Sequence, residues 1–119
     1  MKLQTVAALV ALGLLSVRPL AAASDENLTT AVANAGAEAE TAAKGKALYA
    51  HHCSHCHGFN MVNAGSIAYD LRQFPHNDKP RFVRSVTEGK NGRMPQWGDL
   101  LKSEEIDEIW AYVLTGGAQ

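Results

Sequence analysis

The sequence predicts an all-α domain, on two observations. Three segments repeat their apolar residues at intervals of three and four, the spacing that lines one face of a helix, and no segment alternates apolar and polar residues as a half-buried strand does. The first helix is expected from Thr41, a candidate N-cap, through TAAKGKALYAHHCSHCHG. There Gly45, Leu48, Tyr49, His52, Cys53 and Cys56 share a face. The second lies in NDKPRFVRSVTEG. Asn77 or Asp78 caps it, Pro80 fits its first turn, Phe82, Val83 and Val86 form the stripe, and Gly89 stops it. The third, SEEIDEIWAYVLTGG, begins at Ser103 as N-cap with acids in its first turn. It puts Ile106, Ile109, Trp110, Val113 and Leu114 on one face and ends at Gly116-Gly117. Long loops, 58–76 and 90–102, join them.

The 119-residue chain opens with MKLQTVAALVALGLLSVRPLAAAS: an early Lys2, an apolar run from Val6 to Val17, and Ala21-Ala22-Ala23 before the sequence turns polar. That order is expected of a secretory signal over residues 1–23. The run is shorter than the ~20 residues a membrane span needs, so stable membrane insertion is not expected. Residues 24–40 are rich in Ala, Thr, Asn and acids and nearly free of large apolar side chains. They are expected to form a flexible tether or frayed helix ahead of a domain over 41–119. Cleavage after Ala23 leaves nine basic and twelve acidic residues, a formal charge of −3. Nucleic-acid binding, which needs a basic stripe, is thereby excluded. Export places the protein in the periplasm, where two cysteines ordinarily pair. Cys53 and Cys56 are only three apart, however, and a bridge between them would close almost no loop.

Three short helices bury few large apolar side chains, and a domain this small needs a staple. Cys53-Ser54-His55-Cys56-His57 supplies the means. C-x-x-C-H is the attachment signature of c-type haem: both cysteines form thioethers on one edge of the macrocycle, and His57 is the proximal iron ligand. Two other readings compete. A closed zinc site draws its ligands from two separated elements, and no second cluster exists, His76 standing alone. A thioredoxin-like dithiol opens a helix after a strand, whereas this pair sits late in a helical pattern.

The mature methionines are Met61 and Met94. Met61, four residues past His57, would have to round the haem edge and return, so core packing suits it better. Met94, in KNGRMPQWG, is the expected sixth ligand, carried by a loop that crosses the opposite face. His/Met ligation leaves no open iron position, which favours a one-electron carrier over an enzyme. The alternative is a haem enzyme or a gas or redox sensor with a labile sixth ligand. Trp97, Arg72, Arg81 and Arg84 are candidate propionate partners. His51 and His55 are expected to be exposed near the haem edge, His52 to pack on its helix, and Phe59 with Met61 to form an apolar contact for partners.

GKALYAHHCSHCHG, RMPQW and EIDEIWAYVL together resemble the small class I cytochromes c over about residues 44–115. The resemblance implies a fold in which three main helices and long loops wrap one covalently bound haem. It also implies that Gly45 and Tyr49 meet Ile109 and Tyr112 where the terminal helices cross. The loop from Gly58 to Phe74 lacks the proline whose carbonyl commonly takes the ring proton of the axial histidine, and a carbonyl near Ala64 to Ile67 is the candidate substitute. FNMVNAGSIAYDLRQFP and the run after it further resemble exported cytochromes that accept electrons from PQQ-dependent alcohol dehydrogenases. That implies a monomeric carrier with a quinoprotein dehydrogenase as donor and an oxidase or another cytochrome as acceptor.

Overall fold

A computed structural model describes residues 25–63, 65 and 68–118; the expected leader lies outside the described residues. Among the described residues four α-helices follow in order: α1 (Asp25–His52), α2 (Ser54–His57), α3 (Lys79–Glu88) and α4 (Ser103–Leu114). Short 3-10 turns occupy Phe59–Met61 and Leu71–Gln73, and among the described residues the only β-type pairing is an isolated bridge between Lys90 and Met94.

α1 is far longer than the periodicity predicts. Thr41 is not its cap but an interior residue, its Oγ1 donating 2.8 Å to the carbonyl of Ala37. The segment before it is rich in Ala and Glu, among the best helix formers, and continues the helix although residues 26–40 are exposed. α3 starts as expected. Asp78 accepts from the Arg81 amide at 3.3 Å, Pro80 sits in the first turn, and Gly89 ends the helix at φ 73°. α4 starts one residue off the expectation: Lys102 is the cap, its amide donating 2.8 Å to the Glu105 carboxylate, and Ser103 is the first helical residue.

α1 crosses α4 at Gly45. A Cβ there would overlap the backbone carbonyl of Glu108, so only glycine lets the two helices approach this closely. One turn on, Tyr49 and Tyr112 meet edge to face with ring centroids 5.2 Å apart, both 1% exposed. Ile106, Ile109, Trp110 and Val113 are buried as the stripe predicts, whereas Leu114, at the rim of the stripe, is 38% exposed. Phe74, Phe82 and Trp110 form a second aromatic cluster with centroids 5.0–5.8 Å apart, and this ties the long 58–76 loop to α3 and α4. Leu101 anchors the loop before α4 in the same core. An exposed ion pair, Lys79 to Asp107 at 2.9 Å, joins α3 to α4.

Candidate functional site

The end of α1 runs into the cysteine pair almost without a break. Cys53 donates 2.8 Å to the carbonyl of Tyr49, then takes φ −112° and separates α1 from the single turn of α2. His57 and Gly58 donate to the carbonyls of Cys53 and Ser54, both at 2.9 Å, so the whole C-x-x-C-H stretch is wound on one turn. Ser54 is buried and donates 2.6 Å to Ala50. Gly58 then reverses the chain at φ 81°, where a Cβ would overlap the carbonyl of Val62. Its own carbonyl accepts 2.8 Å from the Tyr49 hydroxyl, which links the helix crossing to the exit from the motif.

The ring of His57 is held from the far side of the loop. Its Nδ1 lies 3.0 Å from the carbonyl oxygen of Tyr69. A carbonyl can only accept, so Nδ1 is the donor, and in the neutral ring this leaves the lone pair on Nε2. The expected acceptor near Ala64 to Ile67 is thus corrected to Tyr69. No side-chain pattern marks such an acceptor, because the contact uses only main-chain chemistry. Around it, Asn63 donates 2.7 Å to the carbonyl of Ala68 and accepts 3.0 Å from the amide of Gly65.

Cys53 and Cys56 are free thiols. Burial, reinforced by the neighbouring Cys56, pushes the Cys53 thiol up to about 11, the opposite of the lowered value a reactive dithiol needs. Among the described residues no group of three or more His, Cys, Asp or Glu side chains is disposed to hold a metal ion by itself.

Met94 is presented by a tight turn. Arg93 and Met94 donate to Lys90 O at 3.1 and 3.0 Å, Lys90 donates back to Met94 O at 2.9 Å, and Asn91 and Gly92 take φ 55° and 64°. Two consecutive left-handed residues make a type I′ turn, and the Asn-Gly dipeptide that favours it was legible in the sequence. Trp97 follows, its amide donating 2.9 Å to Val86 O and its ring meeting His52 edge to face at 5.4 Å.

The other candidates scatter. Arg72 grips the Asp70 carboxylate with two bonds of 2.9 and 2.7 Å. Arg81 pairs with Asp78 at 3.2 Å and lies 4.5 Å over the Phe74 ring. Arg84 lines a shallow cleft along α3 with Val83 and Thr87, a cleft that includes none of Cys53, Cys56, His57 and Met94. Met61 is 0% exposed and belongs to the core, so the expected apolar contact for partners keeps Phe59, at 76% exposed, and loses Met61. His51 and His55 are exposed.

These residues fit a covalently attached haem. Two free thiols sit on one turn beside an imidazole whose Nδ1 is committed to a carbonyl. An open cleft of about 580 Å³ lies against His55, Cys56, Phe59 and Val62, and its lining includes neither His57 nor Met94. Leu48, Cys53, Leu71, Val83, Met94 and Trp97, drawn from four separate parts of the chain, pack on the core yet stay only partly buried. A large apolar body covering them would complete their burial.

Comparison with known proteins agrees. The family described as cytochrome C oxidase, cbb3-type, subunit III matches residues 40–113. The chain is 40% identical over 73 residues to the quinohemoprotein alcohol dehydrogenase ADH IIB of Pseudomonas putida, covering 60% of this chain and 10% of the dehydrogenase. It is 31% identical over 90 residues to the cbb3-type cytochrome c oxidase subunit CcoP of Azospirillum brasilense, 67% of this chain and 30% of that subunit. With cytochrome c6 of Aphanizomenon flos-aquae it shares 36% identity over 74 residues, 59% of this chain and 84% of that protein. The chain therefore spans about a tenth of the dehydrogenase and about three tenths of the oxidase subunit, but aligns with most of the cytochrome c6. No solved structure gives a significant match.

Proposed function

The chain belongs to the cytochrome C oxidase, cbb3-type, subunit III family of class I c-type cytochromes, and from that membership we propose that it is a one-electron carrier with a single haem. Cys53 and Cys56 would hold the haem through thioethers, and His57 and Met94 would ligate its iron. The observation that carries this reading is the His57 to Tyr69 hydrogen bond, which fixes the ring and leaves Nε2 as a lone-pair donor. When bound, the haem supplies a one-electron couple, raised in potential by a methionine ligand. The protein's own contribution is to hold two ligands still. The Asn91-Gly92 turn presents the thioether of Met94, the Tyr69 carbonyl orients the imidazole, and the buried Tyr49–Tyr112 contact fixes the turn that bears both cysteines.

Exposed Phe59 and Val62 beside the cleft form the surface through which electrons pass to partners. Likeness to a quinohemoprotein alcohol dehydrogenase and to an oxidase subunit supports a periplasmic place between a quinoprotein donor and an oxidase or a second cytochrome. No helix among the described residues is long and apolar enough to cross a membrane. Trp97, Arg72, Arg81 and Arg84 remain candidates for the propionates, with Trp97 favoured by its place three residues after Met94.

An absorbance spectrum of the purified protein tests the reading. A covalent haem, six-coordinate in both oxidation states and unreactive to carbon monoxide, is expected. Met94→Ala should open the iron to carbon monoxide and lower the midpoint potential. Rapid carbon monoxide binding by the unaltered ferrous protein would instead favour an enzyme or sensor. Reduction of the protein by a quinoprotein dehydrogenase with its alcohol then tests the donor.

A further inference from the structure

The loop after the C-x-x-C-H stretch lacks a proline, yet its Tyr69 carbonyl must stay aimed at His57 across twelve residues of chain. From the C-terminal side that carbonyl is well anchored. Asp70 accepts from the amide of Arg72 at 3.0 Å, Gln73 and Phe74 donate back to the carbonyls of Asp70 and Leu71 at 3.0 and 3.1 Å, and Phe74 is packed in the core. The Tyr69 hydroxyl adds a bond of 3.0 Å to the Gln73 carbonyl.

From the N-terminal side, among the described residues, the hold comes from one side chain. Asn63 donates 2.7 Å to the carbonyl of Ala68, the residue immediately before Tyr69, and accepts 3.0 Å from the amide of Gly65. An amide is suited to this double task because it carries a donor and an acceptor on one planar group. A carboxylate lacks the donor, and a serine hydroxyl is too short to span to Ala68.

We propose that Asn63 is a positioning residue for the axial histidine: by fixing the Ala68 carbonyl it sets the orientation of the next peptide, and so the strength of the His57 Nδ1–H bond to Tyr69. The inference rests on the haem reading above. The expected chemistry is directional. A ring N–H held firmly by a carbonyl makes the opposite nitrogen a stronger donor to the iron, which favours the oxidised form. Loosening Asn63 weakens that donation and shifts the equilibrium toward the reduced form.

The test uses the holoprotein and two neutral variants, Asn63→Ala and Asn63→Ser. Serine can still accept from Gly65, so it restores the local turn but not the bond to Ala68. Both variants should show a higher midpoint potential than the unaltered protein. In both, the His57 Nδ1 proton should exchange about tenfold faster by NMR, the factor expected for losing one hydrogen bond of ordinary net strength. Asn63→Ser should retain more thermal stability than Asn63→Ala, which separates the effect on His57 from loss of the turn. If Asn63→Ala does not yield folded holoprotein, Asn63→Ser alone decides. Unchanged potential and exchange in Asn63→Ser, with haem covalently bound, would overturn the role of Asn63 and leave the carrier reading intact. Unaltered protein purified without covalent haem would overturn both.

Discussion

Replacing Gly45 by alanine sets helix propensity against packing, and the structure decides which wins. In an open helix the change stabilises by about 1 kcal/mol, because alanine loses less backbone entropy than glycine. At Gly45 the new Cβ would interpenetrate the Glu108 carbonyl and lie 2.9 Å from the Ile109 amide. Both are backbone of α4 and cannot rotate away, so the helices must separate. Overpacking of this kind costs about 1–3 kcal/mol, and parting the edge-to-face Tyr49–Tyr112 pair adds roughly 0.5–1.5 kcal/mol. Against the propensity gain the net loss is about 2 kcal/mol, a fall in Tm of roughly 8–16 °C for a domain of this size. Gly36, on the same helix, is the internal control: nothing lies within 4 Å of a Cβ built there. Thermal unfolding followed by circular dichroism should show Gly45→Ala far below the parent and Gly36→Ala no lower than it. If the two variants melt together, the close approach of α1 and α4 is not what selects glycine.

Three further predictions follow from other contacts. Tyr49→Phe removes the donor to the Gly58 carbonyl and should cost about 1 kcal/mol in denaturant unfolding while the fold is kept. Gly92→Ala meets no neighbour, so its cost is the left-handed backbone alone, about 1 kcal/mol, and an equal stability would refute the turn assignment. Hydrogen bonds from Arg72 hold the Asp70 carboxyl at about 2, below its ordinary value. A depressed carboxylate contributes stability that is present above the unfolded value and lost as pH falls through the folded one, so the contribution disappears between about pH 4 and 2. Asp70→Asn should flatten the stability curve in that window, measured by urea midpoints; an unchanged slope would count against the clamp.

The parts of this molecule that could be read in advance are those where one residue type has one use. Gly45 with Tyr49, the stripe of α4 apart from Leu114, Asp78 before Pro80, and Gly89 all name their own geometry, and each occupies the expected role. α1 was underestimated because its first half has no apolar stripe. Periodicity detects helices that bury a face, and this stretch depends on alanine's intrinsic preference alone. Met61 could not be told from Phe59 by type, since burial there is decided by a chain reversal at Gly58 and by left-handed backbone at Asn60 and Met61. The Tyr69 carbonyl was invisible for a deeper reason: any residue supplies a carbonyl, so the acceptor is chosen by the path of the loop. Cys53, Cys56 and His57 could be singled out in advance because haem attachment calls for this spacing, and the structure winds the three onto one turn.

The exposed half of α1 makes the amino-terminal arm a graded thermometer. Residues 25–40 add sixteen positions, about 24 Å of helix, whose carboxyl end is already wound by the packed turns at Gly45 and Tyr49. The unfavourable first turn is therefore supplied by the domain, and unwinding proceeds inward from Asp25 without waiting for global unfolding. Amide protection should climb residue by residue from Asp25 toward the crossing with α4, so that warming shortens the arm continuously while the core below it still melts in a single step.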